Sequence, residues 1–191
     1  MVRYHLSRVE ISLATASPRK RRLLFSFSGY QTVNENLIEV LIFIYENYMD
    51  SDTDVPEDQI LLEQELSNAG FRQDEIKKAF NWLDELAWRQ GSMAEQSSRN
   101  TPSVRVLTQQ EQQRLDMETQ GMLLYLEQTG ILNPLTRELV IERAMALETP
   151  DLEAEDVKWI VLLVLLNQPG QESAFALMEE LIYNGIPNLL H

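Results

Sequence analysis

The chain contains no cysteine and only two histidines, His5 and His191, one near each end. The first absence excludes a disulfide framework, a thiol nucleophile and any thiolate-held metal. The second takes the commonest acid–base side chain out of the interior, because chain ends are where ordered catalytic geometry is least expected. Long apolar runs are missing too: the longest, 159–166, has eight residues, whereas a bilayer span takes roughly 20. Basic residues are scarce, 16 against 30 acidic, for a formal net charge of −14. Six of them (Arg3, Arg8, Arg19, Lys20, Arg21 and Arg22) precede Val33 with only Glu10 against them, which leaves 10 basic and 29 acidic side chains, a formal −19, in the remainder. A surface of that sign repels nucleic acid and anionic lipid at long range. The sequence also lacks a glycine-rich phosphate loop, a G-x-S-x-G and an H-E-x-x-H motif, so nothing specific favours an enzyme and no cofactor or metal is implied.

What is present is a chain of 191 residues with 44% hydrophobic content, enough for one sizeable domain or two small ones. Its most apolar stretch is 157–166, where Lys158 is the single charge. Asp151 suits a helix cap, Glu153, Glu155 and Asp156 favour the positive end of the helix, and Pro169 with Gly170 stops it about fifteen residues on. A helix apolar almost all round needs cover on most of its circumference, so this one is expected at the centre of the core. Lys158 is expected to snorkel from it to the surface.

Residues 1–33 read as a disordered basic extension, and their apolar run, 23–27, is shorter than a secretory h-region. They also fit upstream sequence included through an early start, and the functional alternative is an arm for nucleic acid or an acidic surface. From 34 the spacing turns helical through Leu37, Val40, Leu41, Ile44, Tyr45 and Tyr48. A second helix, opened by Pro56 and running to about 68, points Ile60, Leu62 and Leu66 inward, and Gly70 turns the chain. A third, 73–90, buries Ile76, Ala79, Phe80, Leu83, Leu86 and Ala87 and ends at Gly91. The polar segment 91–102 reads as a linker, and the alternation at 103–107 predicts a short strand. Thr108 and Glu111 form a capping box that opens one long helix to Gly130 with Leu115, Met122, Leu123 and Leu126 inward. Helices at 135–147 and 171–184 follow, the first burying Leu139, Val140, Ala144 and Leu147, the second Ala174, Leu177, Met178, Leu181 and Ile182. The fold class is all-α, about seven helices with at most one short strand or hairpin. The expected organisation is the extension 1–33, a three-helix, helix-turn-helix-like half at 34–107 and a helical half at 108–191.

Several stretches carry a family likeness: 66–71, 81–83, 114–116, 121–128, 136–138, 140–143, 156–159, Asn167 with Pro169 and Gly170, 178–181, and the closing Leu190 and His191. In these the chain from about 34 to 191 resembles the bacterial Smg family, whose pattern begins near Leu37. The resemblance implies a bacterial cytoplasmic protein, encoded in many genomes beside a DNA-processing protein, and supplies no catalytic or binding residues.

Asp50, Asp52 and Asp54 open like a calcium loop, but Val55 and Leu61 stand where glycine and the closing glutamate belong, so an acidic turn is the better reading. Glu179 with Glu180, and Asp84 with Glu85, are adjacent carboxylates that a helix points about 100° apart, which makes poor proton-sharing dyads. Arg137, Glu138, Glu142 and Arg143 share a helix whose spacing does not pair them well internally; a solvated face is the leading reading, and partners elsewhere, such as Asp156 or another protein, are the alternative. The leading expectation is a non-catalytic binding or adaptor protein presenting an acidic helical surface to a protein partner, with Arg137, Glu142, Arg143, Lys158, Glu179 and Glu180 as contact residues. The alternative is a helix-turn-helix DNA-associated regulator using Arg72, Lys77 and Lys78.

Overall fold

Helices in this chain follow its apolar spacing, and the computed structural model describes them over residues 37–49, 59–94, 105–148, 152–166 and 168–184. The extension 1–33, both histidines, the aspartates of the 50–54 turn and the Asp151 cap lie outside these residues. The described helices are α1 (Leu37–Ile44), α2 (Gln59–Asn68), α3 (Gln73–Ala94), α4 (Gln109–Arg114), α5 (Met117–Gln128), α6 (Pro134–Met145), α7 (Ala154–Leu166) and α8 (Glu172–Asn184). A π-helical turn, Tyr45–Met49, continues α1. The protein is all-α, with no strand among the described residues.

The core is built around α7. Val157 and 160–165 are buried, and α6 and α8 pack most closely on this helix, with α5 and α1 beside them. Tyr45 enters the same core from the π turn, its ring 5.7 Å from that of Trp159 and 6.5 Å from that of Phe175. α3 packs on α1, α2 and α6 through Ile76, Ala79, Trp82 and Leu86. Two side chains of α3 reach across to later helices: Trp82 Nε1 donates to the Arg143 carbonyl at 3.1 Å, and Gln90 Nε2 to the Val164 carbonyl at 2.8 Å. Residues 35–191 form one compact unit.

Caps account for most boundaries. α2 ends where Gly70 takes φ +106° and Phe71 N–H reaches the Leu66 carbonyl, the six-to-one bond of a left-handed helix end. Thr108 and Glu111 form the expected capping box. Asn133 caps α6 with Pro134 in its first turn. The far end of α6 is held by Arg114, whose guanidinium donates to the carbonyls of Met145 and Leu147 at 2.8 and 2.7 Å, a cation placed at the negative end of the helix.

Four expectations are corrected. α3 does not end at Gly91 but runs on to Ala94: Gly91 keeps a right-handed backbone, and only Gly70, Gly130 and Gly170 among the described glycines take positive φ. The long helix from 109 is two, because Leu115 turns extended to bridge Leu152 and Asp116 becomes a new cap, its Oδ1 accepting from Thr119 N–H at 2.7 Å. The described part of the expected strand, 105–107, is irregular: no strand stands among the described residues to pair with it, and Arg105 is tied to Glu111 and Glu138 instead. Ile60, Leu177 and Ala87, expected inward, are exposed. Ile60 stands two residues, about 200°, round the helix from Leu62, and Leu177 and Ala87 lie about 100° from buried Met178 and Leu86.

Candidate functional site

Charged side chains gather along α6 in two chains of ion pairs. One runs Glu111–Arg105–Glu138–Arg137–Glu127. Arg105 meets Glu111 through two bonds of 2.8 and 2.9 Å and Glu138 at 2.6 Å, and Arg137 meets Glu138 at 2.8 Å and Glu127 at 2.5 Å. The hydrogen bond from Arg105 carries the Glu111 carboxyl well below the usual range, down to about 2, against the opposing effect of burial. The second chain is Glu85–Arg143–Glu142–Arg89, with separations of 2.8, 3.3 and 2.8 Å. Arg143 is buried, its guanidinium 5.8 Å from the centroid of the Trp82 ring, while both its carboxylate partners reach it from solvent. Arg137 and Arg143 thus take partners from α5 and α3, and Asp156 instead accepts from the Glu153 N–H at the start of α7.

The remaining residues singled out in the sequence are scattered. Lys158 is buried, and its ammonium meets the exposed carboxylate of Glu155 one turn back. Glu179 accepts from the Tyr45 hydroxyl at 3.3 Å, and Glu180 is exposed. Arg72 pairs with Asp74 at 2.8 Å, and Lys78 with Glu148 at 2.6 Å, which raises the Lys78 pKa. Lys77 is exposed. The structure pairs Glu142 with Arg143 on α6, sets Arg137 of the same helix in the other chain of ion pairs, and places Lys158, Glu179 and Glu180 on other helices.

Two surface features escaped the sequence reading. Trp88 is 67% exposed and sits on α3 opposite the buried stripe, with Asp84 and Glu85 one turn before it and the Arg89 guanidinium 5.3 Å from its ring centroid. On α5, Met117 and Leu124 are largely exposed. The signal for both was an apolar residue lying off its helix's inward stripe. Among the described residues, no cluster of three or more acidic or histidine side chains is arranged to hold a metal ion, and no helix is long and apolar enough to cross a membrane.

A family model described as "Protein of unknown function (DUF494)" matches residues 37–191. Curated relatives bear the name "Protein Smg homolog". That of Nitrosococcus oceani is 45% identical over 159 residues, covering 83% of this chain and 100% of the relative. The chain belongs to the Smg family. Smg homologues of Vibrio vulnificus and Alkalilimnicola ehrlichii are 48% and 46% identical over 158 and 166 residues, covering 81% and 83% of this chain and 99% and 100% of their own lengths. No solved structure matches the chain.

Proposed function

We propose that this Smg-family chain is a non-catalytic, cytoplasmic adaptor that offers an acidic helical surface to a protein partner. The observation that carries the reading is Trp88. A tryptophan in water forgoes the burial that about 25 cal/mol per Å² of apolar surface rewards, and this one stands on the outward face of the longest described helix. Tryptophan is among the residues most enriched where partners meet. The ring, which already holds an arginine over its face on a chain of formal net charge −14, suits a partner segment that carries arginine or lysine. Glu180 and Glu179 on α8 extend the acidic character to a second helix.

The helix-turn-helix reading draws on α2, the Gly70 turn and α3, with Lys77 facing outward. It has less support, because Arg72 and Lys78 are already paired with Asp74 and Glu148. Tagged protein captured from its native cell, split into nuclease-treated and untreated halves, separates the two. A stoichiometric protein that survives nuclease and is lost with Trp88→Ala, or with Glu179→Lys and Glu180→Lys together, is the expected result. Co-purification abolished by nuclease, and by Lys77→Glu with Lys78→Glu, would overturn the adaptor reading in favour of DNA.

A further inference from the structure

The outward face of α5 has no charge along its centre. Met117, Gly121, Leu124 and Gln128 succeed one another at i, i+4, i+7 and i+11, opposite the buried Thr119, Met122, Leu123 and Leu126. Met117 is 88% exposed and Leu124 55%. Between them lies Gly121, where an added Cβ would meet nothing within 4 Å. The packing of this chain therefore does not ask for glycine there, although glycine inside a helix costs roughly 0.5–1 kcal/mol relative to alanine. What glycine provides at such a position is room for a second backbone to come close. Of the acids on α5, Glu127 is already neutralised by Arg137 at 2.5 Å, and Glu118 lies in the first turn, off the centre of the face.

We propose that this face docks a second copy of the same chain, with the two α5 helices crossing antiparallel at Gly121. The face is self-complementary: Gly121 comes four residues after Met117 and three before Leu124, so a two-fold axis through it lays Met117 of one copy against Leu124 of the other. Charge favours the same occupant. Two copies at −14 each repel one another least where the surface is neutral, and a basic partner would find no carboxylate to pair with along this ridge. A 12-residue helix is about 18 Å long, so the contact falls short of the roughly 800 Å² per partner of a standard interface and the dimer is a concentration-dependent one.

Sedimentation equilibrium on the full chain, from about 1 µM to about 500 µM, is expected to show the mass rising from 22.1 kDa towards twice that value. Added salt should tighten the association, because it screens repulsion between acidic copies, the reverse of an interface held by ion pairs. Gly121→Leu and Leu124→Glu should each weaken it at least tenfold with helical content kept, the first melting no lower than the parent because it also removes a glycine from inside a helix. The absence of cysteine permits a test that does not depend on either variant: Met117→Cys and Leu124→Cys copies, mixed and oxidised, should give a disulfide joining the two positions. A monomer mass across the whole range, or cross-linking no greater in the mixture than in either variant alone, would overturn the proposal and leave this face to a different protein.

Discussion

Glu111 does two jobs with one carboxylate: it completes the capping box of α4 with Thr108 and receives a forked bond from Arg105. The two roles are separable, because glutamine also serves at the third position of a capping box but carries no charge. The carboxyl titrates at about 2 in the folded chain, against an ordinary value of 4.5. A folded pKa below the unfolded one means that the contribution is complete above pH 4.5 and disappears as the pH falls through about 2. Glu111→Gln should therefore flatten the loss of stability between those pH values, with a difference on the order of 1 kcal/mol at neutral pH once solvent screening of the pair is allowed for. Urea midpoints at a series of pH values check this, and parallel curves for the two proteins would show that the pair contributes nothing. The second partner of Arg105 could not be read from spacing, since Glu138 lies 33 residues from it.

At the scale of elements, glycines separate two kinds of helix signal. Gly91 sits within α3 in right-handed conformation with open space around it, whereas Gly70 ends α2 at φ +106°. Gly91→Ala should stabilise by about 0.5–1 kcal/mol, and Gly70→Ala should destabilise by at least as much, because an L side chain is strained at that φ. Thermal melting of the two variants must move in opposite directions for the assignment of α3 to hold. The helices themselves were legible from local periodicity: α6, α7 and α8 lie where Asn133 with Pro134, the acids at 153–156, and Gly170 place them. The split between α4 and α5 was not, because Leu115 leaves the helix to meet Leu152, 37 positions away. Ile60 and Leu177 misled for a related reason: apolar character suggests burial, but only the neighbouring helices decide which side is covered. Arg137 and Arg143 each take one carboxylate from another helix, Glu127 of α5 and Glu85 of α3, and one from the adjacent residue of their own, Glu138 and Glu142, a pairing that helix spacing argued against. Trp88 could have been picked out on a helical wheel as the aromatic opposite Ile76, Ala79 and Leu86, yet what meets it is not written in its own helix.

For the whole molecule the governing quantity is charge. Residues 35–191 hold their own compact set of contacts, and the Smg relatives align over essentially their full length to about 159 residues of this chain. A chain begun at Glu35 is therefore expected to keep its helical signal and to melt within about 4 °C of the parent at moderate salt, the shift that roughly 1 kcal/mol produces in a protein of this size. Its formal charge, however, passes from −14 to −19. Self-repulsion of a compact body grows with net charge and is screened over a Debye length of about 10 Å at 0.1 M salt. The shortened chain should consequently lose more stability than the parent as salt is lowered, and recover it as salt is added, although the exposed pair of Lys78 and Glu148 weakens in the same direction in both. Calorimetry of the two proteins across ionic strength resolves the difference. Equal salt slopes would mean that net charge does not govern stability here, and a collapse of the shortened chain at every salt concentration would mean that the fold depends on residues 1–34.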